Sequence, residues 1–227
     1  MRPGGRDVLI ELFEREFVEP LESLGSRVAG TFRDLDDPDR FVWFRGFADM
    51  EARLRTLTDF YSGEVWLKHR AAANATIVDN DDVLLLKPVA GRLLESDSRP
   101  RSHDDDDSAS SLIVVETFLL PRGTDDEFAA FFARDLEPER RALGASPFAT
   151  LTTEHRPNNY QRLPVRESDT VFVAVTRFEN TDAHRIDAHA RATEPVWRER
   201  LVAEIARRTV APVHVMRLQP TRRSALR

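Results

Sequence analysis

The chain has 227 residues and no cysteine, with 33 basic against 39 acidic side chains and a formal net charge of −6. The lack of cysteine excludes disulfide frameworks, thiolate metal sites and cysteine nucleophiles. The acidic balance argues against nucleic-acid binding, which needs a basic footprint. At 41% hydrophobic with 14 Phe, the chain can fill the core of one large domain or two small ones.

The first residues, Met-Arg-Pro-Gly-Gly-Arg-Asp, lack the apolar stretch of a signal peptide. Val8–Leu24 follows as an amphipathic helix, with Ile10, Phe13, Phe17 and Leu21 on one face. Arg27–Phe32 and Phe41–Phe47 read as strands around the turn Asp36-Asp37-Pro38-Asp39. A helix starts from Asp49, with Met50, Leu54, Leu57 and Tyr61 facing inward, and resumes near Glu64. Asn80–Lys87 supplies a further strand.

Ala90–Ser111 is polar and carries the run Asp104–Asp107, the composition of a solvated linker. Four consecutive Asp lack the alternating spacing and turn glycine of a calcium loop. Beyond it, Leu112–Leu120 is a strand ending at Pro121-Arg122-Gly123. Asp125–Leu143 is a helix that Pro138 can kink or shorten, and Phe148–Glu154 and Val171–Phe178 are strands. A long helix runs from Thr181 to Arg208 with a break before Pro195, and Val213–Leu218 closes the series. The apolar runs, such as Val83–Leu86 and Leu112–Val115, are too short to span a bilayer. These features together describe a cytoplasmic protein without membrane association.

The two halves repeat each other. Shifted by 131, Phe41-Val42 falls on Phe172-Val173, Phe47 on Phe178 and Val65-Trp66 on Val196-Trp197. Near the start the shift is 119, placing Leu9, Leu12 and Phe13 on Phe128, Phe131 and Phe132. The second half reads β-α-β-β-α-β, the ferredoxin-like order of an α+β fold. The first half reads the same with one omission, because only Met1 and Arg2 precede the Pro-Gly turn. By its own symmetry this sequence lacks the first strand of repeat one. The organisation expected is a first repeat over 1–89, an acidic linker over 90–111, a second repeat over 112–220 and a basic tail over 221–227.

The stretch Asp34-Leu35-Asp36-Asp37-Pro38-Asp39-Arg40-Phe41-Val42-Trp43-Phe44-Arg45-Gly46-Phe47, with Val65-Trp66 and His69-Arg70, resembles the NIPSNAP family. The likeness is strongest over Thr31–Pro88 and extends through Leu112–Pro220. It implies a pseudo-dimeric α/β barrel built from two tandem ferredoxin-like repeats. Family members begin with a strand of alternating apolar residues before the Pro-Gly turn, and this sequence departs from them there. The wider superfamily includes cofactor-independent monooxygenases, isomerases, decyclising enzymes and haem proteins, so the resemblance narrows the fold much further than the activity.

Two groups of residues could carry chemistry. Trp43, Arg45 and Phe47 alternate on one strand and share a face, so an inward Arg45 needs a carboxylate or an anionic ligand. Trp66, His69, Arg70 and Asn74 follow i, i+3, i+4 and i+8, one helical face. Trp66 recurs in the second repeat as Trp197, whereas His69 and Arg70 become Arg200 and Leu201, so only the tryptophan follows from shared architecture. The expected site therefore uses His69 and Arg70 for catalysis, with Trp43, Arg45, Tyr61, Trp66 and Asn74 binding ligand. Both groups also fit a structural role, Trp66 filling the core and the polar residues bonding backbone or carboxylates. His155, Asn158, Asn159 and Tyr160 fall in the loop between strands, and His184 and His189 are five apart, off the one-turn spacing of paired metal ligands. No metal and no cofactor are expected, and no Gly-x-Ser-x-Gly elbow is present. The leading expectation is a pocket for a small, partly apolar or anionic molecule, with or without catalysis. Its rival is a protein-interaction module in which the missing strand exposes a sheet edge and drives homo-oligomerisation.

Overall fold

The computed structural model describes residues 1–91, 93, 111–145 and 147–227. The expected acidic run at 104–107 therefore lies outside the described residues. In chain order the elements are α1 (Gly5–Glu16), α2 (Val18–Ser23), β1 (Arg27–Asp34), β2 (Phe41–Gly46), α3 (Met50–Ser62), α4 (Glu64–Thr76) and β3 (Leu86–Gly91). The second half follows with β4 (Leu112–Leu120), α5 (Asp125–Phe131), α6 (Glu137–Ala142), β5 (Pro147–Thr153), β6 (Thr170–Phe178), α7 (Thr181–Thr193), α8 (Val202–Arg208) and β7 (His214–Pro220). Two five-residue π-helical turns, Phe132–Leu136 and Trp197–Leu201, join α5 to α6 and lead into α8.

The seven strands form one sheet in the order β2-β1-β7-β4-β6-β5-β3, with every neighbouring pair antiparallel. Within it, β7-β4-β6-β5 is the second repeat with its fourth, first, third and second strands side by side, the ferredoxin-like arrangement. Laid flat, six strand spacings would separate β2 from β3 by roughly 29 Å. Yet Val42 and Phe44 of β2 and Leu86 of β3 pack against one cluster with Phe32, Ile113, Val115, Val173 and Leu218. The sheet is therefore curled into an α/β barrel with side chains filling its interior.

Alternation explains the layering. On β4, Ile113 and Val115 point into the barrel, while Phe118 and Leu120 point outward under α5 and its π turn. Strand β4 is apolar on both faces because both are covered. The outer layer repeats in the first half, where Phe13, Phe17 and Leu21 cover Val28 of β1.

The two halves share several points of backbone detail. Asp49 caps α3 by accepting from Ala52 N at 2.7 Å, and Asn180 caps α7 by accepting from Ala183 N at 2.9 Å. Gly4 and Gly123 both take the left-handed conformation that ends the Pro-Gly turn, with φ of 73° and 80°. Register shifts at Ala29 in β1 and Phe148 in β5 fall at matching places.

Several boundaries differ from the sequence reading. The expected helix Val8–Leu24 is two helices that part at Phe17. Pro138 does not kink its helix but sits in the first turn of α6, where it needs no N–H partner. The strand expected over Asn80–Lys87 is displaced to Leu86–Gly91, so Ala90 and Gly91 pair with β5. Residues 221–227 are packed against the first repeat: Leu226 joins the barrel core, and Thr221 donates to Glu14 Oε1 at 2.6 Å. Arg223 N donates to the same oxygen at 2.8 Å, and its guanidinium reaches Glu19.

Candidate functional site

A cleft of about 220 Å³ opens on the outer face of the second repeat, between β4 and β7 below and the helical layer above. Phe118, Phe132, Leu136, Trp197, Val202 and Ile205 form its apolar wall. Both π turns face it, contributing Phe132 and Leu136 from one and Trp197 from the other. A π turn re-aims the side chains of its helix and recurs at functional sites.

The cleft is also lined by charge. Glu116, the one charged residue of β4, is buried and accepts from Arg140 and from Arg191, the latter at 3.0 Å. Arg191 lies 2.8 Å from Asp187 as an ion pair. Burial by itself would raise the Glu116 carboxyl, but the Arg140 and Arg191 guanidiniums outweigh it and hold the group below its ordinary range. Arg140 is 2% exposed. Its Nε and that of Arg191 are buried without a hydrogen-bond partner. Two N–H donors are thus unsatisfied beside an apolar cavity, which is costly unless an acceptor arrives.

The corresponding place in the first repeat is arranged differently. Trp43 stands where the second repeat has Ala174, and its ring packs 4.6 Å from that of Phe13. Arg45 lies over Trp43 and Phe47, at 4.6 and 5.4 Å from their ring centres, and its Nη1 is buried without a partner. Tyr61 meets Trp66 edge-on at 4.8 Å and stacks on Tyr160 at 5.9 Å. Arg53, buried beside this group, donates to Asn159 Oδ1 at 2.7 Å. Burial and the nearby Arg45 charge lower the pKa of Arg53.

Trp43, Arg45, Tyr61 and Trp66 therefore share one neighbourhood. His69 is at its margin, edge-on to Phe17 and 3.4 Å from Glu16 Oε2. Of the α4 residues expected to share one functional face, Trp66 and His69 are half-buried. Ala73 and Thr76 are the residues α4 buries, and Arg70 and Asn74 are exposed. The reason is geometric: i+4 and i+8 drift off a face whose centre runs through i+7.

The sequence reading missed the second-repeat cleft. Its signal was present as Glu116 inside Leu-Ile-Val-Val-Glu-Thr-Phe-Leu-Leu, a charge at an outward-facing position of a strand buried on both faces. A polar groove at the far end of β5 holds His155, whose Nε2 is 2.9 Å from Asp125 Oδ2. Among the described residues no three His, Asp or Glu side chains converge as a metal site.

The fold is similar to that of a "putative monooxygenase" from Lactobacillus acidophilus NCFM, at a TM-score of 0.54 and 11% identity over 97% of this chain and 89% of that one. A second solved structure, a "putative monooxygenase" from Fusobacterium nucleatum, aligns at a TM-score of 0.47 and 10% identity over 92% and 82%. The first likeness is one of fold alone. No protein-family model and no curated protein matches the sequence.

Proposed function

We propose that this is a NIPSNAP-like protein that binds a small, largely apolar molecule carrying one hydrogen-bond acceptor, in the cleft of the second repeat. The observation that carries the reading is the pair of unsatisfied Arg140 and Arg191 Nε donors beside an apolar-walled cavity. A carbonyl, phenolic or carboxylate oxygen would satisfy them, and the wall from Phe118 to Ile205 would take the apolar remainder. Glu116 and Asp187 balance the two guanidiniums, so the cluster favours an acceptor without demanding a full charge. The alpha-beta barrel likeness to a protein described as a monooxygenase is compatible with an apolar substrate. The aromatic neighbourhood of Trp43, Arg45, Tyr61 and Trp66 is the competing site, with His69 and Arg70 at its rim as the proposed catalytic residues.

The three tryptophans separate the two sites in one experiment. Titration with benzoate and phenol, followed by the indole N–H signals, is expected to move Trp197 and leave Trp43 and Trp66 in place. Val202→Trp at the mouth of the cleft should abolish the shift while the melting temperature stays within about 2 °C of wild type. Movement of Trp43 or Trp66 instead, lost in Arg45→Ala, would relocate the site to the first repeat.

One observation favours the interaction reading as a second possibility: among the described residues, apolar side chains from both halves pack together in the barrel interior. Under that reading neither probe moves any indole signal, and partner binding maps to the outer surface.

A further inference from the structure

Among the described residues, two neighbouring arginines of the first half have no carboxylate to balance them. Arg45 shares the outward face of β2 with Phe41 and Trp43. Arg53 lies on α3, the helix that begins shortly after that strand ends, and is 5% exposed. The other buried arginines of the described chain, Arg140 and Arg223, each meet a glutamate, Glu116 and Glu19. Arg53 has only a neutral partner: Asn159 Oδ1 accepts from its Nη1 at 2.7 Å. The charge that acts on Arg53 is that of Arg45, which together with burial lowers its pKa.

Both guanidiniums are held in place. Arg45 lies over the rings of Trp43 and Phe47, at 4.6 and 5.4 Å from their centres, and its Nη1 is buried without an acceptor. Asn159 comes from the loop between β5 and β6, and its Nδ2 donates to Met50 O at 2.6 Å. That bond fixes the amide so that its oxygen faces Arg53. Trp43, Arg45, Phe47 and Tyr61 are half-buried, so solvent reaches this place. Two like charges partly withdrawn from water repel each other and lose hydration, a cost that an anion between them would offset.

We propose that Arg45 and Arg53 form a site for a doubly charged tetrahedral oxoanion, a phosphate group, held between the two guanidiniums. Guanidinium forks suit phosphate oxygens, and two negative charges match the two positive ones where a single carboxylate would leave one unmet. Asn159 is a positioning residue, since its oxygen is committed to Arg53 and its N–H to Met50. The ligand chemistry differs from that of the second-repeat cleft, and neither site depends on the other.

The test follows the three indole N–H signals while inorganic phosphate, and separately phenyl phosphate, replaces chloride at constant ionic strength. The Trp43 signal should shift to saturation with Trp197 unmoved. Equal affinity for the two probes assigns the site to the free ion, and binding of phenyl phosphate at least about tenfold tighter assigns it to a phosphorylated organic molecule. Arg45→Met keeps an unbranched stem over Trp43. It should weaken phosphate binding at least about tenfold, while its melting temperature in chloride stays within about 2 °C of wild type. Arg53→Gln should weaken binding likewise, and if that variant fails to fold the Arg45→Met result decides. A Trp43 signal that does not respond, or that responds equally in Arg45→Met, would overturn the proposal. So would a response that appears only when Asp104–Asp107 are replaced by Asn, which assigns the two guanidiniums to the chain's own carboxylates. Because the cleft is read at Trp197 with benzoate and phenol, the two sites fail separately.

Discussion

At the scale of single residues, Glu116 has the largest consequences. A carboxylate placed among Leu, Ile, Val and Phe would be expelled from a two-sided strand unless cations met it, and Arg140 and Arg191 do so from two different helical segments. Removing one member of such a cluster leaves the others uncompensated, so Glu116→Gln should cost about 3–5 kcal/mol in chemical denaturation at neutral pH. The pH dependence follows from the lowered pKa of this group. The stabilisation is complete above the unfolded carboxylate value of about 4.3 and is lost as pH falls through the lower folded value. The stability gap between wild type and Glu116→Gln should therefore be constant above about pH 5 and close progressively in more acidic buffer. A gap that instead widened toward acid would contradict the ion-pair account.

At the scale of elements, the helices of the two repeats differ where the site differs. In the first repeat the breaks fall at Phe17 and Gly63, and each helix ends in ordinary geometry. In the second, five-residue π turns occupy the middle of the layer and bring Phe132 and Trp197 to the cleft. Neither π turn was readable from periodicity, since a single inserted residue changes side-chain direction without changing composition. The helix starts were readable, near Asp49 and Thr181, and the structure shows Asp49 and Asn180 capping helices of 13 residues each by satisfying amide groups three residues on. Asp49→Ala and Asn180→Ala should each lower stability by about 1 kcal/mol, with the double variant close to additive because the caps serve separate helices. Urea titrations of the three variants check this.

At the scale of the molecule, the two repeats share one sheet and one interior. Strand β1 pairs with β7, and β3 pairs with β5, so each repeat supplies neighbours to the other. The last residues strengthen the first of these seams. Thr221 bonds Thr31 and Glu14, Ser224 accepts from Thr31 N at 3.1 Å, and Leu226 enters the barrel core. Deleting Arg223–Arg227 removes a buried leucine and leaves Glu14 and Glu19 short of donors, and should cost about 3 kcal/mol. Calorimetry should still show a single transition for the wild type, because neither repeat completes its core alone. Two resolved transitions would mean that the repeats unfold independently.

The sequence by itself determined the α+β order of elements, because apolar periodicity and turn residues are local signals that survive without a structure. It also offered Trp43, Arg45, Tyr61, Trp66, His69, Arg70 and Asn74 as candidates, His69 and Arg70 because the other half carries Arg200 and Leu201 in their places. Which half holds a cavity was decided only by the tertiary structure. Glu116, Arg140, Asp187, Arg191 and Trp197 come from three separated segments, and no spacing in the chain brings them together. Ala174 stands where the first repeat places Trp43, and the volume that ring fills has no counterpart on β6. That β2 and β3 end the order of the described strands was likewise decided by pairing, since a strand's neighbours are set by the whole sheet and not by its own residues.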